Sequence, residues 1–211
     1  MRNNGCYDKI ASVMKMEMPR RKQNRLGEYD YTAEGAYFVT LCTQNRAEIF
    51  EMELPAVGNG ERHDTQVVPY GAISEGKAIV KGNGTQAVPY GDIHKSMANQ
   101  IVHKWVKETE NKFPGMNVDR YVIMPDHLHL IVTIRERHAG GSLPDVMRYF
   151  KTMTTNAYIR GVKQGVFVPF DGKLWQKSYY DHVIRNQQDY HEVWEYIENN
   201  PAKWIMMHEK P

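Results

Sequence analysis

The apolar positions of this chain fall into two rhythms. One is strand-like. Residues 36–44, AYFVTLCTQ, are rich in β-branched and aromatic side chains. Residues 117–124, NVDRYVIM, and 127–134, HLHLIVTI, form two more such runs, and only Pro125-Asp126 separates them, which predicts a tight hairpin. The other rhythm is helical. Residues 92–113 place Met97, Ile101, Val102 and Trp105 at helical spacing before Pro114-Gly115 ends the run. Residues 138–161 begin with a glycine break, then Ser142 as a helix cap, and carry Val146, Phe150, Met153 and Ala157 on one stripe. Residues 174–184 read as a fourth strand and its exit. Asn186 then caps a final helix over 187–200, which Pro201 is expected to stop. The order β–α–β–β–α–β plus one helix predicts an α+β, ferredoxin-like split antiparallel sheet.

Residues 55–91 stand outside this pattern. They are rich in Gly, Asn and Pro, and TQVVPYG (65–71) returns as TQAVPYG (85–91), each copy preceded by GNG. Two copies do not make a solenoid. The segment reads as an insertion between the first strand and the first helix, either an extended hairpin or a loop, and its role is open. Arg20, Arg21, Lys22 and Arg25 form a basic arm within residues 1–30. It reads either as a solvated terminus or as a phosphate-contacting arm. With these two features set aside, residues 1–211 are expected to form one domain.

Composition narrows the class. The chain is 41% hydrophobic and 25% charged, which suits a globular protein, and no apolar run is long enough to span a bilayer. Its N-terminal residues lack the apolar core of a signal peptide. Two cysteines, Cys6 and Cys42, are too few for a disulfide framework, so a reducing, cytoplasmic setting is expected. The net charge of +2 does not by itself announce a nucleic-acid binder.

The chemistry gathers in MPDHLHLIV. Side chains alternate along a strand, so Leu128, Leu130, Val132 and Ile134 share one face, and His127, His129, Ile131 and Thr133 the other. The first set reads as core. The second presents two imidazoles side by side, as a pair of metal ligands would be presented. Two imidazoles do not complete a shell. Mg²⁺ takes oxygen donors, water and phosphate, and Mn²⁺ accepts imidazole more readily. On the final helix Tyr190, Val193, Trp194 and Ile197 form the buried stripe. Tyr196 lies off its centre, and Asn200 follows one turn later on the same side.

YVIMPDHLHLIV, LWQKSYYDHVIRN and YIENNPAKW together closely resemble the REP-associated tyrosine transposases. These are relatives of the insertion-sequence transposases within the histidine–hydrophobe–histidine endonucleases. The resemblance runs from about residue 20 to about residue 205, apart from the 55–91 insertion, which is larger than expected for the family. It implies that His127 and His129 hold a divalent metal, Mg²⁺ or Mn²⁺, that Asn200 is the third ligand, and that Tyr196 is the nucleophile. Many insertion-sequence relatives carry Gln at the Asn200 position, whereas Asn is usual in the REP-associated branch. The implied activity is nicking and joining of single-stranded, hairpin-containing DNA through a 5′-phosphotyrosine. A nucleoid-associated location goes with it.

Other residues are candidates. Tyr179, Tyr180 and Tyr190 are alternative nucleophiles of lower rank, and His182 is an alternative third ligand. Asp126 either orients one imidazole or serves only the turn. Arg46, Lys151, Lys177 and Arg185 are cationic candidates for DNA contact, and Trp175 for stacking on an unpaired base. Each is equally readable as an ordinary surface or core residue. The deprotonating base of the tyrosine is not evident. The alternative function is a non-catalytic single-stranded nucleic-acid-binding protein, since RNA-binding domains share the split layout. Their aromatic Lys/Arg-Gly-Phe/Tyr-Gly/Ala-Phe pattern is absent. A phosphodiesterase with water as nucleophile is a third reading, and it would not need Tyr196. By resemblance, a monomer and a homodimer that exchanges its tyrosine helix are both open.

Overall fold

A computed structural model describes residues 29–56, 90–136 and 140–208. The elements are β1 (Gly35–Cys42), a short 3-10 turn (Gln44–Arg46), α1 (Tyr90–Lys112), β2 (Met116–Met124), β3 (His127–Ile134), α2 (Leu143–Lys163), β4 (Tyr180–Ile184) and α3 (Gln187–His208). The strands form one sheet in the order β2-β3-β1-β4, with every neighbouring pair antiparallel. This is the split α+β layout expected from the sequence, with α3 added after β4. No helix among the described residues is long and apolar enough to cross a membrane.

The basic arm and most of the insertion lie outside the described residues. The insertion's outer ends do not. Ala56 exchanges two 2.7 Å backbone hydrogen bonds with Tyr121 at the β2 edge, and Tyr90 already belongs to α1.

The sheet is covered on both faces, and the period-two pattern of β3 decides which face is which. Leu128, Leu130, Val132 and Ile134 join Tyr37, Val39 and Leu41 of β1 in the large core beneath α1 and α2. Ile131 joins Phe38, Val122 and Met124 in a smaller core beneath α3, where Val193 and Ile197 meet them. Each fully buried Leu, Ile or Val contributes about 1.5–3 kcal/mol. A one-residue slip of β3 would take four of them out of the main core and drive both histidines into it, so the apolar pattern holds the histidines on the α3 side.

α2 begins as read. Ser142 accepts from the Asp145 N–H, and the Asp145 carboxylate accepts from the Ser142 N–H, a reciprocal cap. α3 is fixed by a bulge in β2. The register with β3 jumps between Val118 and Arg120, which turns Asp119 and Arg120 toward α3. Asp119 accepts from Thr133 Oγ1 (2.5 Å) and from the Tyr190 hydroxyl (3.1 Å), while Arg120 pairs with Glu198 and lies 5.0 Å from the Trp194 ring centroid. Burial, with help from Asp119, pushes the Tyr190 phenol up to about 12.

Two expectations need correction. The fourth strand covers only Tyr180–Ile184. Residues 174–179 run irregularly, apart from a lone bridge between Thr43 and Trp175, and the Lys151 ammonium donates to the Gln176 and Lys177 carbonyls there. Pro201 also does not stop α3, which runs on to His208. A proline inside a helix removes one N–H. Here it is buried, and Trp204, one turn beyond, packs on the smaller core. Tertiary packing outweighs the lost hydrogen bond.

Candidate metal and nucleophile site

The hairpin Met124–His127 and the cross-strand neighbours on β1 build the site. The His127 and His129 rings are 4.6 Å apart, centroid to centroid, edge to face. Each is held at Nδ1. His127 Nδ1 lies 2.5 Å from Asp126 Oδ1, and His129 Nδ1 lies 2.8 Å from Oγ1 of Thr40, its register partner. A carboxylate has no proton to give, so His127 Nδ1 donates and its Nε2 keeps a lone pair. The other Asp126 oxygen accepts from Arg46 Nη1 at 3.2 Å. Arg46 makes this contact from a left-handed backbone (φ 56°), which is costly for a residue with a Cβ.

Both imidazoles are buried, at 8% and 4% exposure. Burial lowers the His127 pKa, against the pull of Asp126. Burial takes His129 down to about 3, with His127 and Arg46 pushing the same way. Both rings are therefore neutral near pH 7, the form that binds metal.

The residues fit a divalent metal. The Asn200 side chain, also buried, faces His127 from α3. His129 Nε2 has no hydrogen-bond partner. A buried nitrogen left so costs about 1–3 kcal/mol unless something occupies it. Among the described residues no three His, Cys, Asp or Glu converge, so the third protein donor here would be the Asn200 amide oxygen. Two imidazoles and an amide oxygen suit Mn²⁺, or Mg²⁺ completed by water and phosphate.

Tyr196 stands one turn before Asn200. Its ring is 5.2 Å from His129 and 5.7 Å from Phe38, edge to face in both cases, and it is 41% exposed. Val193 and Ile197 hold that stretch of helix on the sheet. The hydroxyl-bearing ring is thus both anchored and open to a ligand. The structure brings His127, His129, Asn200, Tyr196 and Asp126 together.

Of the other candidates Tyr180 stays near, exposed and edge-on to the same Phe38 ring, while most of the rest separate. Tyr179 is buried and Tyr190 is tied to Asp119. His182 Nε2 is 2.9 Å from Asp189, which takes up that ring nitrogen. Of the cationic candidates only Arg46 reaches the site. Lys151 serves the 176–177 carbonyls on the α2 side, while Lys177 and Arg185 are exposed. Trp175 is a correction. It is 3% exposed, its ring stacks on Phe50 and its Nε1 donates to Thr154, so no face is left for a base.

Sequence reading missed Thr40 and Phe38, which hold and stack on His129, and Lys203 and Trp204, which lie against Tyr196 and His127. Thr40 and Phe38 share one face of β1 at period two, which the sequence does display. Lys203 and Trp204 were hidden by ending the helix at Pro201.

Residues 90–200 match the family described as "Transposase IS200 like". An uncharacterised protein of Haemophilus influenzae is 28% identical over 204 residues, covering 87% of this chain and 89% of that one. A REP-associated tyrosine transposase of Escherichia coli K12 is 30% identical over 90 residues, 42% of this chain and 47% of that protein. A solved REP-associated tyrosine transposase bound to a REP hairpin aligns with a TM-score of 0.49 at 17% identity, covering 85% of this chain and 74% of that one.

Proposed function

The chain belongs to the IS200-like transposase family, and from that premise we propose that it is a metal-dependent enzyme that nicks and joins single-stranded, hairpin-containing DNA through Tyr196. The observation that carries this is the meeting of an exposed, anchored tyrosine with two neutral imidazoles, one of which has an unpartnered Nε2.

His127, His129 and Asn200 would hold Mg²⁺ or Mn²⁺. When bound, the ion draws charge from a non-bridging oxygen of the scissile phosphate. Asp126 fixes the His127 ring and Thr40 the His129 ring, each through Nδ1, which leaves each Nε2 for a ligand. The Tyr196 phenolic oxygen attacks phosphorus in line. The P–O bond to the 3′-oxygen breaks, the phenolic proton is lost and the departing 3′-oxygen gains one. The product is a 5′-phosphotyrosine. Because a phosphodiester is exchanged for a phosphotyrosyl ester, attack by another 3′-hydroxyl reverses the step and joins strands without an external energy source. Hairpin DNA as the substrate class comes from the resemblance of the three motifs.

The test is a denaturing gel of the protein with labelled single-stranded hairpin DNA and Mn²⁺, beside Tyr196→Phe. A metal-dependent covalent band that vanishes in the variant is the expected result. Cleavage that persists in the variant, with no covalent band, would mean that water is the nucleophile. Binding without cleavage across a broad hairpin pool would favour a non-catalytic binding protein.

A further inference from the structure

We propose that Tyr180 is a stacking platform for an unpaired base of the DNA strand that reaches Tyr196. This rests on the single-stranded DNA reading above and adds to it the residue that grips a base beside the reacting phosphate.

Among the described residues, seven large apolar side chains are exposed, and only two of them are aromatic, Tyr180 at 53% and Tyr196 at 41%. Both stand edge-on to the same ring. Phe38 lies 6.5 Å from Tyr180 at 71° and 5.7 Å from Tyr196 at 83°. The third ring against Phe38 is that of His129, stacked at 5.2 Å. One buried phenylalanine therefore joins the imidazole, the nucleophile candidate and a second open aromatic.

The register places Tyr180 with equal definition. It pairs with Thr40 across β1, and Thr40 holds His129 Nδ1. Tyr180 is thus across β1 from the histidine, two strands over, on the α3 face of the sheet. β4 is the sheet edge and α3 packs mainly on β2 and β3, with its first turn holding His182, so among the described residues the Tyr180 end of β4 is uncovered on this face. An aromatic ring half exposed there gives up apolar burial without serving the core. Its partner Tyr179, one residue earlier, points to the main core and is buried. Nucleobases supply the missing flat apolar face. Stacking is worth about 1–3 kcal/mol per base and tolerates any sequence, so a single platform suits a strand threading past a reactive centre. The Tyr180 ring carries no charge, so it should add affinity without adding to the salt dependence that phosphate contacts produce.

The probe is a fluorescein-labelled oligothymidine, compared with an abasic oligomer of the same phosphate number, titrated at several salt concentrations. Wild type is expected to prefer the oligothymidine. Tyr180→Ala should weaken that binding about tenfold, leave the abasic oligomer's affinity and the salt slope unchanged, and so abolish the preference. Tyr180→Phe should restore wild-type binding, because it keeps the ring. Tyr180→Leu keeps an apolar, strand-compatible side chain, and should melt like wild type but bind like the alanine variant, which separates stacking from folding. Unchanged preference in Tyr180→Ala, or loss of binding in Tyr180→Phe, would overturn the platform. The Tyr196-dependent covalent band is run in parallel with wild type. If that band forms while the platform test fails, the platform alone falls. If wild type neither binds nor cleaves single-stranded DNA, the underlying reading falls with it.

Discussion

Asp126 and His127 are neighbours in the chain, yet their side chains meet. Oδ1 of the carboxylate lies 2.5 Å from Nδ1 of the imidazole, and Oδ2 lies 3.2 Å from Arg46. The two-residue hairpin turn makes this possible, because Asp126 sits in the turn while His127 opens β3. The carboxylate fixes ring orientation and tautomer together, and Arg46 fixes the carboxylate. Asp126→Asn keeps the shape and can still accept, but it loses the charge on both contacts. Its expected effect is a fall of about 10–100-fold in Mn²⁺ affinity with folding intact. Isothermal titration with Mn²⁺ on chelator-stripped protein reads this directly. An unchanged affinity would mean that Asp126 serves only the turn.

The buried imidazoles also make a prediction about acid. His129 is depressed to about 3 and His127 is lowered as well, both from 6.5, with burial as the main cause. As pH falls below 6.5 the unfolded chain takes up these protons before the folded chain does. Stability is therefore full above that value and declines as pH falls toward about 3, where His129 protonates in the folded state as well. The slope from one such group approaches about 1.4 kcal/mol per pH unit. Urea unfolding of metal-free protein at about pH 7.5 and about pH 5.5 should differ by about 1.4 kcal/mol from His129 alone, with a further contribution from His127, and His129→Gln should reduce the difference. Equal stability at the two values would contradict the burial of neutral rings.

Much of this arrangement was legible in the chain. Period-two apolar residues on 127–134 place both histidines on one face because only one register buries four aliphatic side chains. Helical spacing groups Tyr196 with Asn200 for the same geometric reason. What could not be read was tertiary. Pro201 looks like a stop because a proline lacks its N–H, and nothing local announces that Trp204 will pack beyond it. Trp175 looks like a stacking residue because tryptophan in a polar segment suggests a surface role. Its burial depends on Phe50 and Thr154, which are distant in sequence. Lys151 was readable as a cation, but the carbonyls it satisfies belong to a segment expected to be a strand.

Gly161 is a packing requirement with a sharp test. A Cβ built there would come 2.1 Å from the Phe167 ring, which itself stacks on Tyr158 at 4.7 Å. The small residue lets the chain after α2 fold back on its own helix. Gly161→Ala should destabilise the protein by about 1–3 kcal/mol, despite the better helix propensity of alanine. Phe167→Leu in the same chain should recover part of that loss, and a double-mutant cycle by chemical denaturation measures the coupling. A neutral or stabilising Gly161→Ala would mean that the loop moves aside at no cost.

The continuation of α3 past Pro201 brings Lys203 two turns beyond Tyr196 on the same side, with its ammonium 5.3 Å from the ring centroid. At an exposed site a cation over an aromatic face is worth about 0.5–1 kcal/mol, which is a factor of about 2–5. The same charge would favour approach of a phosphate to the phenol. Lys203→Gln should therefore slow formation of the covalent DNA band about 2–5-fold, whereas Lys203→Arg should stay near wild type because Arg keeps a cation that stacks on rings. The two contributions separate by salt. Attraction to phosphate is screened, so the wild-type advantage over Lys203→Gln should shrink as ionic strength rises. Single-turnover gels at low and high salt provide the readout. Equal rates for the glutamine variant and wild type at low salt would remove Lys203 from the site and leave it as a surface residue of the last turns.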